Sequence, residues 1–223
     1  MKTSDKKWFI AGFIFMVILF TVIWVIGIGY INNSPGLYKY TVDVEGLEDF
    51  QPSLITDIIV PLPVRDGQPV FDDDDLQYQT FGEWKTILVM TPYGKMLAFQ
   101  SVGRNLTNIH AEFYQKYPDG FRIRNITQET FSPVLPLADS PYSRSSPGND
   151  PAHEYSTIVF IPDTIRPLHP DTDTISISLE LTASEGMQHS MSGRTYHALV
   201  RESFPPAVHN MTPVIVRISE MYP

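Results

Sequence analysis

The stretch Ile175-Ser176-Ile177-Ser178-Leu179-Glu180-Leu181-Thr182 alternates apolar and polar side chains without a break. In an extended backbone, a period of two sends every apolar group to one face and every hydroxyl or carboxylate to the other. The segment therefore reads as a β-strand with one buried face and one wet face. Tyr38-Lys39-Tyr40-Thr41-Val42-Asp43-Val44-Glu45 repeats the pattern, and so does Val214-Ile215-Val216-Arg217-Ile218-Ser219 near the C-terminal end. Less strict versions run over Thr86–Met90, Met96–Val102, Ile109–Phe113, Phe121–Ile126, Tyr155–Ile161 and Tyr196–Val200. Ser53–Val60 is mostly apolar, as expected of a central strand covered on both faces.

Turn chemistry falls between these segments. Arg65-Asp66-Gly67-Gln68 carries an Asp-Gly pair suited to the two positive-φ positions of a tight hairpin. Pro92-Tyr93-Gly94-Lys95 joins two strand patterns as a second hairpin. No amphipathic pattern of helical period and ten or more residues follows Ile31. Nine or ten short strands separated by turns point to an all-β chain, an antiparallel β-sandwich of immunoglobulin-like or jelly-roll-like kind over residues 37–223. One stretch departs from this: Ala138–Ala152 has three prolines, four serines and almost nothing to bury, and reads as a long exposed loop within one domain.

The apolar content is unevenly spread. From Trp8 to Ile31 there are 24 residues without a charge. As a helix they would span roughly 36 Å, enough for a hydrocarbon core of about 30 Å. Lys2, Lys6 and Lys7 precede the run against the single Asp5, and Trp8, Trp24 and Tyr30 lie near its ends. Basic residues favour the cytoplasmic side and aromatic rings the headgroup level. The expected organisation is a cytoplasmic tail at 1–7, one transmembrane signal-anchor helix at 8–31, a short tether at 32–36 and an extracytoplasmic β domain at 37–223. Gly27-Ile28-Gly29-Tyr30 is a poor signal-peptidase site, so the helix is expected to be retained. The net charge of −9 then divides into +2 for residues 1–31 (three Lys, one Asp) and −11 for 32–223 (13 basic, 24 acidic).

The chain has no cysteine among its 223 residues. That excludes disulfide staples, thiolate zinc sites, iron–sulfur clusters and a cysteine nucleophile. The acidic balance excludes binding to nucleic acid by phosphate neutralisation. Four of the seven asparagines stand in N-x-[ST] sequons: Asn32, Asn105, Asn125 and Asn210. All four fall on the expected outer side, as candidate glycosylation sites. Proline follows the hydroxyl residue at Asn32 and Asn210 and restricts the acceptor there.

Sequons without cysteine fit an archaeal or bacterial envelope, with archaea favoured. The segment Ile58-Ile59-Val60-Pro61-Leu62-Pro63, then Asp66-Gly67, Trp84 and Thr91-Pro92-Tyr93-Gly94-Lys95-Met96-Leu97, resembles uncharacterised single-pass membrane-anchored surface proteins of methanogenic archaea. The resemblance covers about a quarter of the chain and implies a cell-membrane address, but carries no catalytic residue.

The most conspicuous polar cluster is Asp72-Asp73-Asp74-Asp75, whose oxygens suit a hard cation such as calcium. No EF-hand register fits, because Gln77 stands where glycine is needed, and extended neighbours point to alternate sides. A solvated acidic loop is the favoured reading of the run; Asp171 and Asp173 read either as one face of a strand start or, equally, as a turn before the Ile175 strand. Six histidines, His110, His153, His169, His189, His197 and His209, form no metal-binding spacing, and His110 and His197 read as hydrogen-bonded strand residues. Nucleophile elbows, S-x-x-K and glycine-rich phosphate loops are absent from the sequence. The expected function is a membrane-tethered structural or binding module of the cell envelope, without catalysis or cofactor, meeting an envelope protein or a glycan. Two other classes remain open: an extracytoplasmic hydrolase or carbohydrate-active enzyme with its site at a sheet edge, and an accessory single-pass subunit of a membrane complex.

Overall fold

The computed structural model describes residues 3–32, 36–52, 54–117, 129–136, 153–169, 174–184, 195–205 and 211–221. The Phe121–Ile126 strand pattern, the 138–152 loop, Asp171 and Asp173 lie outside the described residues.

A helix, α1 (Thr3–Asn32), comes first. It begins five residues before the uncharged run and takes in Lys6 and Lys7. Its side chains are described from 12 to 27, and from Phe13 to Ile26 each large apolar one is between 44% and 70% exposed. The one hydroxyl among them, Thr21 Oγ1, donates to the Val17 carbonyl at 2.8 Å, within the helix itself. Among the residues whose side chains are described, 12–27 of α1 included, no helix is long and apolar enough to cross a membrane.

Strands follow almost without interruption: β1 (Leu37–Glu45), β2 (Phe50–Pro52), β3 (Asp57–Val60), β4 (Leu62–Arg65), β5 (Gln68–Pro69), a four-residue helical turn α2 (Asp73–Leu76), β6 (Thr80–Phe81), β7 (Trp84–Thr91), β8 (Gly94–Ser101) and β9 (Ile109–Lys116). Then come β10 (Glu129–Ser132), β11 (His153–Phe160), β12 (Ile165–Pro167), β13 (Ile175–Ser184), β14 (Thr195–Phe204) and β15 (Met211–Met221). All their pairings are antiparallel among the described residues.

Ten strands form one ladder in the order β6-β7-β8-β3-β11-β15-β14-β13-β1-β9. The ladder bends round until its end strands meet, where the rings of Phe81 on β6 and Phe113 on β9 lie 5.4 Å apart, edge to face. This replaces the two separate sheets expected of a sandwich. The period-2 pattern tells which face of a strand is wet, but is silent about where a ladder turns.

The chain changes sheets at Pro61. Before it, β3 pairs with β8; after it, β4 leaves to join β10 and β5 in a small sheet. Only Ile59↔Phe160 joins β3 to β11, and the backbone of Leu135 takes the edge of β11 farther along, at Ser156. Two hydrogen bonds hold this corner. The fully buried Tyr40 hydroxyl crosses the core to donate to the Pro61 carbonyl at 2.9 Å, and the Phe131 N–H donates to the Tyr155 hydroxyl.

The alternation seen in the sequence fills the interior. Tyr38, Tyr40, Val42 and Val44 of β1 and Ile175, Ile177, Leu179, Leu181 and Ala183 of β13 all point inward and are at most 3% exposed. Phe71, Phe113 and Phe131 pack round the Tyr40 ring with centroids 5.7–6.3 Å away. Since β1 runs away from α1 and every neighbour is antiparallel, the ladder has an entry pole, at Leu37, and a far pole, at Glu45. The ends of β8, β11 and β14 and the starts of β3, β7, β9 and β15 lie at the far pole.

Candidate polar face of the sheet

The outward positions of β9, β1, β13 and β14 align into polar rows across the sheet. Register places His110, Asp43, Ser178 and Arg201 in one row, and Glu112, Thr41, Glu180 and Leu199 in the next. Tyr114, Lys39, Thr182 and His197 form a third. Each contributor is an every-second residue of its strand, so the same alternation that builds the core builds this face.

The rows are knitted by ion pairs. His110 Nδ1 bonds Asp43 Oδ1 at 2.5 Å. Glu112 accepts from the Lys39 ammonium at 2.5 Å and from the Tyr114 hydroxyl. The Lys39 hydrogen bond, helped by that of Tyr114, holds the Glu112 carboxyl below its ordinary range, and the same pair pushes Lys39 up. In the third row His197 Nδ1 bonds Glu180 Oε1 at 2.9 Å, while its Nε2 is buried without a partner among the described residues.

Beside the first row lies an open cleft of about 410 Å³, lined by Asp43 and Glu45 of β1, Ser176 and Ser178 of β13, and Arg201 and Ser203 of β14. The Ser176 and Ser203 hydroxyls bond one another at 3.1 Å across its floor. Glu202 also borders it. The β14–β15 ladder stops at Leu199↔Arg217, and beyond that point the Glu202 carboxylate accepts the Ile215 N–H that a strand partner would otherwise take. Burial pushes the Glu202 carboxyl up, with the Ile215 N–H and the Arg217 charge opposing.

Chemically this is a hydrogen-bonding surface. His110, in the row beside the cleft, turns its Nδ1 to Asp43, and its Nε2 lies 4.0 Å from Glu112. Neither the Asp43–His110 pair nor the Glu180–His197 pair is legible in the sequence. Their outward positions were legible, but the register that joins residues 67 apart was not.

Asp72 precedes α2 and Asp73, Asp74 and Asp75 form its first turn, all exposed, with Asp73 paired to Lys95 at 2.7 Å. Helical turning, rather than an extended loop, fans the four carboxylates round an axis. Among the described residues no group of three or more His, Asp or Glu is arranged to hold a metal ion. Asn105 stands exposed in the β8–β9 connection. Asn125, Asn210, His189 and His209 lie outside the described residues, as do the side chains of Asn32 and His153; His169 is exposed. Comparison of the chain with protein-family models, with curated proteins and with solved structures returns no match.

Proposed function

We propose that the protein is a membrane-tethered, extracytoplasmic binding module of the cell envelope, with its N-terminus in the cytoplasm and no catalytic role. The observation that carries this reading is α1. From Phe13 to Ile26 its large side chains are apolar on every side of the helix and lie exposed. A helix apolar all round belongs inside a large core or inside a bilayer. The uncharged run from Trp8 to Ile31 supplies the length for the second, and Lys2, Lys6 and Lys7 supply the orientation. The Thr21 hydroxyl, bonded within its own helix, asks nothing of the surroundings.

The polar cleft on β1, β13 and β14 is the binding face of this reading. Its carboxylates, guanidinium and hydroxyls match the donors and acceptors of a polyol, in keeping with a glycan partner in an archaeal envelope. Fractionation of the native cells tests the tether. The protein is expected to sediment with membranes, to resist extraction by high salt and by alkaline carbonate, and to lose its β domain to protease added to intact protoplasts. Release by salt, or protection of the β domain until the cells are lysed, overturns the proposal.

A further inference from the structure

We infer that Asn105 carries an N-linked glycan and that this glycan covers an apolar patch at the far pole of the domain. The inference rests on the extracytoplasmic reading above and adds to it a modification site and what the modification does.

The sequon Asn105-Leu106-Thr107 lies in the connection between β8 and β9. The two residues after the asparagine are pinned inward. Leu106 is 5% exposed in the core, and the Thr107 carbonyl accepts the indole N–H of the fully buried Trp84 at 2.8 Å. Asn105 itself is left exposed. Of the other sequons, Asn32 ends α1, Thr212 of the Asn210 sequon lies within β15 opposite Val159, and Asn125 lies outside the described residues.

The second observation is the patch. Past Asp57↔Gln100 the β3–β8 register continues one step: the Ser101 N–H donates to the Thr56 carbonyl at 2.9 Å, and the Thr56 N–H to Ser101 Oγ at 3.0 Å. Ile55 and Val102 are the residues next beyond this hydrogen-bonded pair, and the Val102 N–H donates to the Glu83 carbonyl at 2.8 Å. Ile55 is 67% exposed, Val102 64% and Leu54 68%. Three large aliphatic side chains thus stand exposed within two residues of one hydrogen-bonded pair at this pole, where single scattered ones would be ordinary. Val102 is three residues from Asn105, at most about 11 Å along the chain. A glycan on Asn105 leaves the surface beside this patch.

The donor is a lipid-pyrophosphate-linked oligosaccharide, used by a membrane transferase on the outer side. The Asn105 amide nitrogen bonds the anomeric carbon, and the bond from that carbon to the phosphate oxygen breaks. Its electron pair leaves with the lipid pyrophosphate, and the amide proton passes to a base of the transferase.

The test uses full-length protein extracted from membranes of the organism that makes it, with protease accessibility of intact protoplasts measured in parallel. Glycopeptide mass spectrometry is expected to find sugar on most copies of the Asn105 peptide. Asn105→Gln, expressed in the same host, should lose that increment, keep its melting temperature and bind several-fold more of an apolar fluorescent dye. Adding Ile55→Ser and Val102→Thr to Asn105→Gln should return dye binding to the starting level. An unmodified Asn105 peptide from protein whose β domain is digested from outside overturns the inference and leaves the tether standing. A β domain protected in intact protoplasts overturns both. Sugar at Asn105 with unchanged dye binding in Asn105→Gln overturns the covering role.

Discussion

Tyr40 joins segments that are 21 residues apart in sequence and on different parts of the ladder. Its hydroxyl is the donor to a buried carbonyl at the Pro61 corner, so Tyr40→Phe leaves that carbonyl without a partner. A loss of about 1–3 kcal/mol in unfolding free energy is expected, read from the urea midpoint. Burial also pushes the Tyr40 and Tyr155 phenols up. A raised phenol favours the neutral form in the fold. Its stabilisation is complete below the unfolded value of about 10 and falls as pH rises through that value towards the folded one. Alkaline titration followed by tyrosinate absorbance should show these two rings ionising only as the fold is lost, and Tyr155→Phe should weaken the pH dependence. Glu202 has the same sign at the other end of the scale. Its raised carboxyl contributes fully below about pH 4.3 and less as pH climbs through its folded value. Glu202→Gln keeps an acceptor for the Ile215 N–H. It should match or exceed the natural chain in urea stability at pH 7, with the difference gone at pH 3.

Two glycines separate backbone strain from crowding at the level of turns. Asp66 and Gly67 have φ of 49° and 77°, the paired positive angles of the tight hairpin that the Asp-Gly letters announce. A methyl group at Gly67 meets nothing within 4 Å, so Gly67→Ala should cost only the left-handed conformation, about 1–2 kcal/mol. Gly46, between β1 and the 3-10 turn Leu47–Asp49, has φ of 84°, and a Cβ there would stand 2.6 Å from the Thr174 carbonyl oxygen. That oxygen is backbone, at the head of β13, and cannot step aside. Gly46→Ala should therefore lower stability by roughly 3 kcal/mol or more, and calorimetric melting of the two variants side by side checks the contrast. Local signals of this kind made β1, β7, β8, β13 and β15 legible, along with the Pro92-Tyr93 hairpin, where Thr91 pairs with Gly94. The change of sheet at Pro61 is not legible, because Ile58-Ile59-Val60-Pro61-Leu62 reads as one apolar run. Only the partners, β8 on one side of the proline and β10 on the other, divide it.

Across the whole molecule, the division into an apolar helix and an all-β body is visible in the uncharged run at 8–31 and the period-2 alternation after it. The polar face was half visible: Lys39, Asp43, His110, Glu112, Glu180 and His197 all sit at outward positions of alternating strands. Their pairing depends on β1 lying between β9 and β13, strands that begin at Ile109 and Ile175. No local pattern encodes such an arrangement. If the body folds through its own core, residues 36–223 expressed alone should stay monodisperse without detergent and melt at the temperature of the full chain, whereas the full chain should need detergent; size-exclusion chromatography and calorimetry decide this. The place of β1 has a mechanical consequence. Every one of its nine residues is paired to β13 and eight are also paired to β9, on opposite edges. A pull on the chain ahead of Leu37 runs along the axis of β1, so it loads both ladders in shear, all hydrogen bonds sharing the force at once, instead of opening them one by one like a zip. The strand next to α1 is thus the one best placed to carry tension into the domain.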